Sequence, residues 1–259
     1  MEEAGYNIYN IKETFVYGNR ISRICSFVLI FFLVLVSFVF NSSVIFAIPV
    51  GPSVVSVHNE TATPQGATKI NTSGGSITTV VLNATTQNLR WKAYVGNVSG
   101  KLTLDDSSGF TVFDWSLMTV EGEVYATRSS STPSWADIGC ATWDNITNEE
   151  IALNHTSNPN DNISATFDKK QHSSFYVGSV SIGSNTCYSL HTNVNGSNQS
   201  IYFEEVLLHD KENMIYATIL ENDVFGYNNQ TYDFQMIVPE VGLDSWSSST
   251  AYYFYVELS

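Results

Sequence analysis

Two regimes of hydrophobic patterning divide the chain. Between Ile24 and Phe40 the residues form an almost unbroken apolar run, whereas after Ala47 apolar positions come in short, often alternating groups separated by Gly, Asn, Asp, Ser and Pro. Those groups are rich in Val, Ile, Thr, Tyr and Phe and show hardly any helical period, so they read as strands and turns. The pattern places strands at Ser53–Val57, Ile77–Asn83, Asn88–Val95, Gly100–Leu104, Thr111–Trp115, Glu121–Thr127, Ile163–Phe167 and Ser174–Ile182. Four more follow at Ser200–Leu208, Met214–Leu220, Thr231–Val238 and Ala251–Leu258. The expected class is all-β, as an antiparallel β-sandwich of the jelly-roll or immunoglobulin-like kind.

The same pattern sets the organisation. Residues 76–259 hold enough strands for one sandwich domain, with 48–75 as an N-terminal extension. Two smaller sandwiches meeting across 129–162 are the alternative, because Ser129-Ser130-Ser131-Thr132-Pro133 and Asn158-Pro159-Asn160-Asp161-Asn162 interrupt the pattern there. In the extension, Val54-Val55-Ser56-Val57 is an extended apolar run followed by a polar stretch ending in Gly74-Gly75. It reads either as an ordinary first strand or as an assembly strand that completes a neighbour's sheet. The run Ala251–Leu258 is strongly β-forming with one charge, so it must be buried or paired to avoid aggregation.

Residues 1–47 read as a targeting element. Lys12, Arg20 and Arg23 precede the 17 residues of the apolar run, and Ala47 suits signal-peptidase cleavage. The run is also long enough to approach a bilayer span, so an uncleaved membrane anchor is the second reading, and a pilin-type signal is a third. The first two place the residues after Ala47 outside the cell. Of the three cysteines, only Cys140 and Cys187 follow Ala47, and in an oxidising compartment they read as one disulfide, with two buried thiols as the alternative.

Charge narrows the partners. After Ala47 there are 22 Asp plus Glu against 8 Lys plus Arg, which carries the whole net charge of −14. So acidic a chain lacks the basic stripe that nucleic acid requires and is repelled by anionic lipid, so membrane contact would come only through the first segment. The same part holds ten Asn-x-Ser/Thr sequons, at Asn59, Asn71, Asn83, Asn97, Asn145, Asn154, Asn162, Asn195, Asn198 and Asn229. Random placement gives about four, so covalent N-glycans on surface loops are expected.

Reactive constellations are sparse. His58, His155, His172, His191 and His209 are scattered, and the acidic turn Asp105-Asp106-Ser107-Ser108-Gly109 matches no calcium-loop spacing. Glu204 and Glu205 would point to opposite faces of a strand and so cannot act as a pair. No catalytic residue, metal site or cofactor is assigned, and the expectation is a protein that is not an enzyme. Among the tryptophans, Trp91 and Trp115 fall in strands and are expected to be buried. Trp135, Trp143 and Trp246 stand beside Ser-rich turns as candidates for stacking on sugars.

The run Arg90-Trp91-Lys92-Ala93-Tyr94-Val95-Gly96-Asn97-Val98-Ser99-Gly100-Lys101-Leu102-Thr103-Leu104-Asp105, with Phe113-Asp114-Trp115 beyond it, resembles a pattern in secreted archaeal cell-surface glycoproteins. The resemblance spans about 26 residues and implies a β-sandwich of the extracellular cell surface, some members of the group forming threads or pilus-like filaments. On that basis the expected role is structural, with donor-strand exchange between copies or contact with other envelope proteins. A carbohydrate-binding module or adhesin is the alternative.

Overall fold

A computed structural model describes residues 47–117, 119–157, 159–242 and 249–258. The stretch read as a targeting element, apart from Ala47, and Trp246 lie outside the described residues. Among those described, no helix is long and apolar enough to cross a membrane.

The structure is strand-rich and antiparallel, as the patterning predicts. A six-stranded sheet runs in the order β14-β4-β10-β9-β5, with β8 also pairing β9. Its members are β4 (Gly122–Thr127), β5 (Gly139–Cys140), β8 (Ser189–His191), β9 (Glu204–His209), β10 (Met214–Ile219) and β14 (Tyr253–Leu258). Four two-stranded ladders accompany it: β1 (Trp91–Gly96) with β13 (Phe234–Pro239), β2 (Lys101–Asp105) with β3 (Thr111–Ser116), β6 (Phe175–Val177) with β7 (Val180–Ile182), and β11 (Val224–Phe225) with β12 (Thr231–Tyr232).

The six-stranded sheet is covered on both faces, which explains why its strands read as near-continuous apolar runs instead of clean alternations. Val124, Ala126, Leu207, Met214 and Tyr216 pack on one side with Met236 and Val238 of β13. Tyr125, Val206, Leu208, Ile215 and Ala217 pack on the other with Trp135, Phe175, Val177, Ile182 and Cys187. Cys140 and Cys187 are joined, with their Cα atoms 4.9 Å apart, tying β5 to the loop that enters β8. Beside this bridge the Nε2 of buried His172 accepts the backbone N–H groups of Thr186 and Cys187 at 3.1 and 3.0 Å. Its Nδ1 lies 2.7 Å from the Ser173 carbonyl oxygen, which gives the neutral ring with its proton on Nδ1.

Two helices depart from the sequence-based expectation. Trp143–Leu153 forms α1, within the stretch read as an interruption, and Ile163–Thr166 forms the short α2, where a strand was expected. Local chemistry accounts for both. Thr142 and Asn145 make a capping box at the start of α1, Asn154 closes it in the left-handed conformation, and the Asn162 side chain accepts from Ala165 N to start α2. Ile146, Glu150 and Leu153 recur on one buried face, and Glu149 meets Arg128 in a two-pronged ion pair at 2.6 and 2.7 Å. Replacing Thr142 by Ala should cost about 1 kcal/mol of stability, measured by urea unfolding, because it removes a cap without opening the core.

Two other predicted strands are not strands. Residues 53–57 and 77–83 have no regular structure, and the whole stretch from Gly51 to Leu89 is exposed. The first strand is thus β1, beginning at Trp91. Farther along, Gly122 admits β14 to its place. Its φ of +130° disfavours any side chain, and a Cβ there would stand 2.0 Å from the Glu257 carbonyl oxygen.

Candidate assembly edge

β14 is the outer strand of the six-stranded sheet, and its two edges differ. The inner edge pairs with β4 over the full length of the strand, from Tyr253 opposite Thr127 to Leu258 opposite Gly122. Along the outer edge, among the described residues, the backbone pairing is a single bridge in which Val50 and Val256 exchange bonds of 2.9 and 2.8 Å. Chemistry stops this ladder from growing. In that register Pro52 falls opposite Phe254, and proline has no N–H to give.

The segment after Val50 carries apolar side chains that cover nothing. Val54, Val55 and Val57 are 75, 92 and 75% exposed. The run Val54-Val55-Ser56-Val57, read from the sequence as a first or an assembly strand, is thus neither a strand of its own sheet nor part of the core. Ile77, Val81 and Leu82 are likewise at least 79% exposed.

The faces of β14 are firmly held by comparison. Phe254 meets Tyr94 edge-on at 4.8 Å and Tyr255 meets Trp135 at 5.2 Å. At the far end Glu257 lies directly opposite Glu123 in the ladder, and both are buried. The Tyr125 hydroxyl lies 3.0 Å from Glu257 Oε2 and 3.3 Å from Glu123 Oε2, and the Gly178 N–H donates to Glu257 at 3.0 and 3.1 Å. Burial, reinforced by the neighbouring Glu257, pushes the Glu123 carboxyl up to about 8. Burial raises Glu257 as well, opposed by the bonds from Gly178 and Tyr125. The Ala47 carbonyl oxygen is close to Gly178, the residue whose N–H binds Glu257.

Beyond β14 the chain projects a hairpin. Gly100, just before β2, abuts Leu258: a Cβ on it would lie 2.3 Å from Leu258 Cδ1. β2 and β3 are exposed at every residue. Their tip is closed by Asp106, whose Oδ1 accepts from Ser108 N and Phe110 N at 2.8 Å each, and these backbone bonds hold its carboxyl below the usual range. The Asp105–Gly109 run is therefore a self-satisfied turn.

The tryptophans do not form a row. Trp135 is 9% exposed and belongs to the core, so it is withdrawn as a sugar-stacking candidate. Its ring meets Tyr125 of β4 and Tyr255 of β14, each at 5.2 Å, in the cluster that also holds Phe175, Val177 and Ile182. Trp143 is 53% exposed at the start of α1. Trp115, expected to be buried, is 50% exposed on β3, whereas Trp91 is partly buried and donates Nε1–H to the Asp161 carbonyl at 2.7 Å.

Eight sequon asparagines (Asn59, Asn71, Asn83, Asn97, Asn154, Asn195, Asn198 and Asn229) are exposed. Asn154, Asn195 and Asn229 adopt left-handed backbone, as turn residues do. Asn145 and Asn162 are partly buried helix-capping residues. The expectation that Asn145 sits in a turn is corrected: it lies in the first turn of α1, with Nδ2 3.3 Å from His209 Nε2.

No group of three or more His, Cys, Asp or Glu among the described residues is placed to hold a metal ion. Two recesses, of about 160 and 190 Å³, are lined by Thr166, Asp168, Lys169 and His191 and by Arg128, Glu149, Glu212 and Asn213 respectively. Both fall below the roughly 300 Å³ typical of a small-molecule site. The geometry is that of a surface offering edges and apolar segments. No family model matches this chain, and neither does any curated protein or any solved structure.

Proposed function

We propose that the chain is a secreted, N-glycosylated structural protein of the cell surface whose copies join by exchanging the N-terminal extension. β1–β13, lying over the six-stranded sheet, is taken as the second sheet of a sandwich, and the exposed sequons as its glycan coat. The observation that carries the reading is the contrast between the idle apolar run Val54–Val57 and the outer edge of β14, engaged by Val50 alone. A register that set Val54–Val57 of one copy along β14 of the next would avoid Pro52 and offer an N–H at every residue, the arrangement of strand addition.

Negative-stain microscopy and light scattering of the exported protein, as its concentration is raised, test this. Filaments or large oligomers are expected for the native sequence, and loss of both for a Val55→Asp/Val57→Asp variant. A native protein that stays monomeric throughout, or a variant that assembles equally well, refutes the reading.

A further inference from the structure

The hairpin β2–β3 has an apolar face that stays about half exposed. Its register sets Leu102 opposite Trp115 and Leu104 opposite Phe113, so these four side chains share one face. They are 46, 50, 56 and 56% exposed in the order Leu102, Trp115, Leu104, Phe113. Phe113 and Trp115 meet edge-on at 4.9 Å. Polar pairs stand elsewhere on the ladder: Lys101 meets Asp114 at 2.5 Å and the Thr103 hydroxyl donates to Asp105 at 2.9 Å, with the register shifting at Leu104/Asp105 beside the exposed Val112. β2 and β3 pair only with each other, so both outer edges of the hairpin are open among the described residues. A two-stranded ribbon is marginal in water by itself, and an exposed apolar face of this kind marks an interaction site.

Charge selects the occupant. Lys101, Asp105, Asp106 and Asp114 leave the hairpin net acidic, and most of the rest of the exported chain is acidic too. Residues 61–89 are the exception, with Lys69 and no Asp or Glu. Within them Ile77-Thr78-Thr79-Val80-Val81-Leu82 is an uncharged, proline-free run of six, five of them β-branched, the length of β3. Ile77 and Val81, on one side of that run when extended, are 99 and 94% exposed.

We infer that the β2–β3 hairpin of one copy receives the Ile77–Leu82 segment of a second copy as a third strand along the edge of β3, setting Ile77 and Val81 beside Phe113 and Trp115 on the apolar face. The inference rests on the self-assembly reading and adds a second, separate junction to it. The hairpin base lies against the end of β14, where Gly100 abuts the Leu258 side chain.

Two differently tagged full-length chains, one carrying Val81→Cys and the other Trp115→Cys, are co-expressed and oxidised, and mixed disulfide dimers are scored on non-reducing gels. The expected result is a strong mixed-dimer band that is lost when Phe113→Asp is added to the Trp115→Cys chain. An intrachain cross-link in a Val81→Cys/Trp115→Cys double variant without mixed dimer would mean that the segment docks on its own hairpin, and overturns the inference. Dimers of the Trp115→Cys chain alone would mean hairpin-to-hairpin packing, and overturn it as well. If native protein assembles and Leu104→Asp/Phe113→Asp assembles equally, this junction is refuted while exchange at β14 stands. If native protein never associates, both fall. Formation of the Cys140–Cys187 bridge in each variant reports that the body has folded.

Discussion

Raising the pH from 5 to 9 should unfold this protein progressively more easily, and Glu123→Gln should remove a large part of that trend. Glu123 titrates near 8 in the folded chain against an ordinary 4.5, because it is buried opposite Glu257. The native state therefore keeps a proton that the unfolded chain releases. Its stabilising effect is complete below about pH 4.5, declines as the pH climbs, and is spent once the pH passes about 8. A shift of this size corresponds to on the order of 4 kcal/mol across that window. Gln keeps the hydrogen-bonding capacity without the charge, so the variant should be the more stable protein at pH 9 and nearly equal to the native one at pH 5. Urea unfolding of both proteins at pH 5, 7 and 9 decides it; parallel stability profiles would show that the pair does not titrate as described.

Removing the disulfide should have an effect of similar size. The Cys140–Cys187 bridge spans 47 residues, and closing a loop of that length is worth about 4 kcal/mol on the chain-entropy estimate. For a domain of this size that corresponds to roughly 8–16 °C in Tm. The double variant Cys140→Ser/Cys187→Ser should melt lower by that margin, and addition of reductant should lower the native protein's Tm toward the same value. The bridged loop contains α1, α2 and the β6–β7 hairpin, so the variant should lose protection from proteolysis there before it is lost in β9 and β10. An unchanged Tm would mean that packing of Cys187 in the core, and not the covalent tie, holds the loop.

The strand-forming runs of the central sheet were legible because period and composition agreed: Glu121–Thr127, Met214–Leu220 and Ala251–Leu258 contain observed strands, and Ser200–Leu208 overlaps β9 from Glu204 onward. The pairing of Cys140 with Cys187 was legible by elimination. α1 was hidden, because Asn145, Thr147 and Asn148 look like loop residues, and only the Thr142…Asn145 capping box and the 146, 150, 153 spacing betray it. The opposite error arose in the extension. Ile77–Asn83 has every local property of a strand, yet a strand needs a partner, and pairing is not a local property. Trp135 and Trp115 were exchanged for a related reason: turn-side position does not predict exposure once Trp135 packs against Tyr125 and Tyr255 in the core, and a strand position does not guarantee burial when a hairpin is exposed along its whole length. The Glu123–Glu257 pair was out of reach, since only the register of β4 against β14 brings them together.

The Val50–Val256 bridge also sets the conditions under which copies would join. Forty residues separate Val50 from Trp91, and as a flexible chain they would span about 35 Å on average. A tether of that reach presents a chain's own segment to its own edge at an effective concentration in the millimolar range. In dilute solution each molecule would thus cap itself, and intermolecular pairing would prevail only where neighbours are packed to comparable density. A chain built this way could be made and exported as a monomer and still polymerise where it accumulates, with crowding as the trigger.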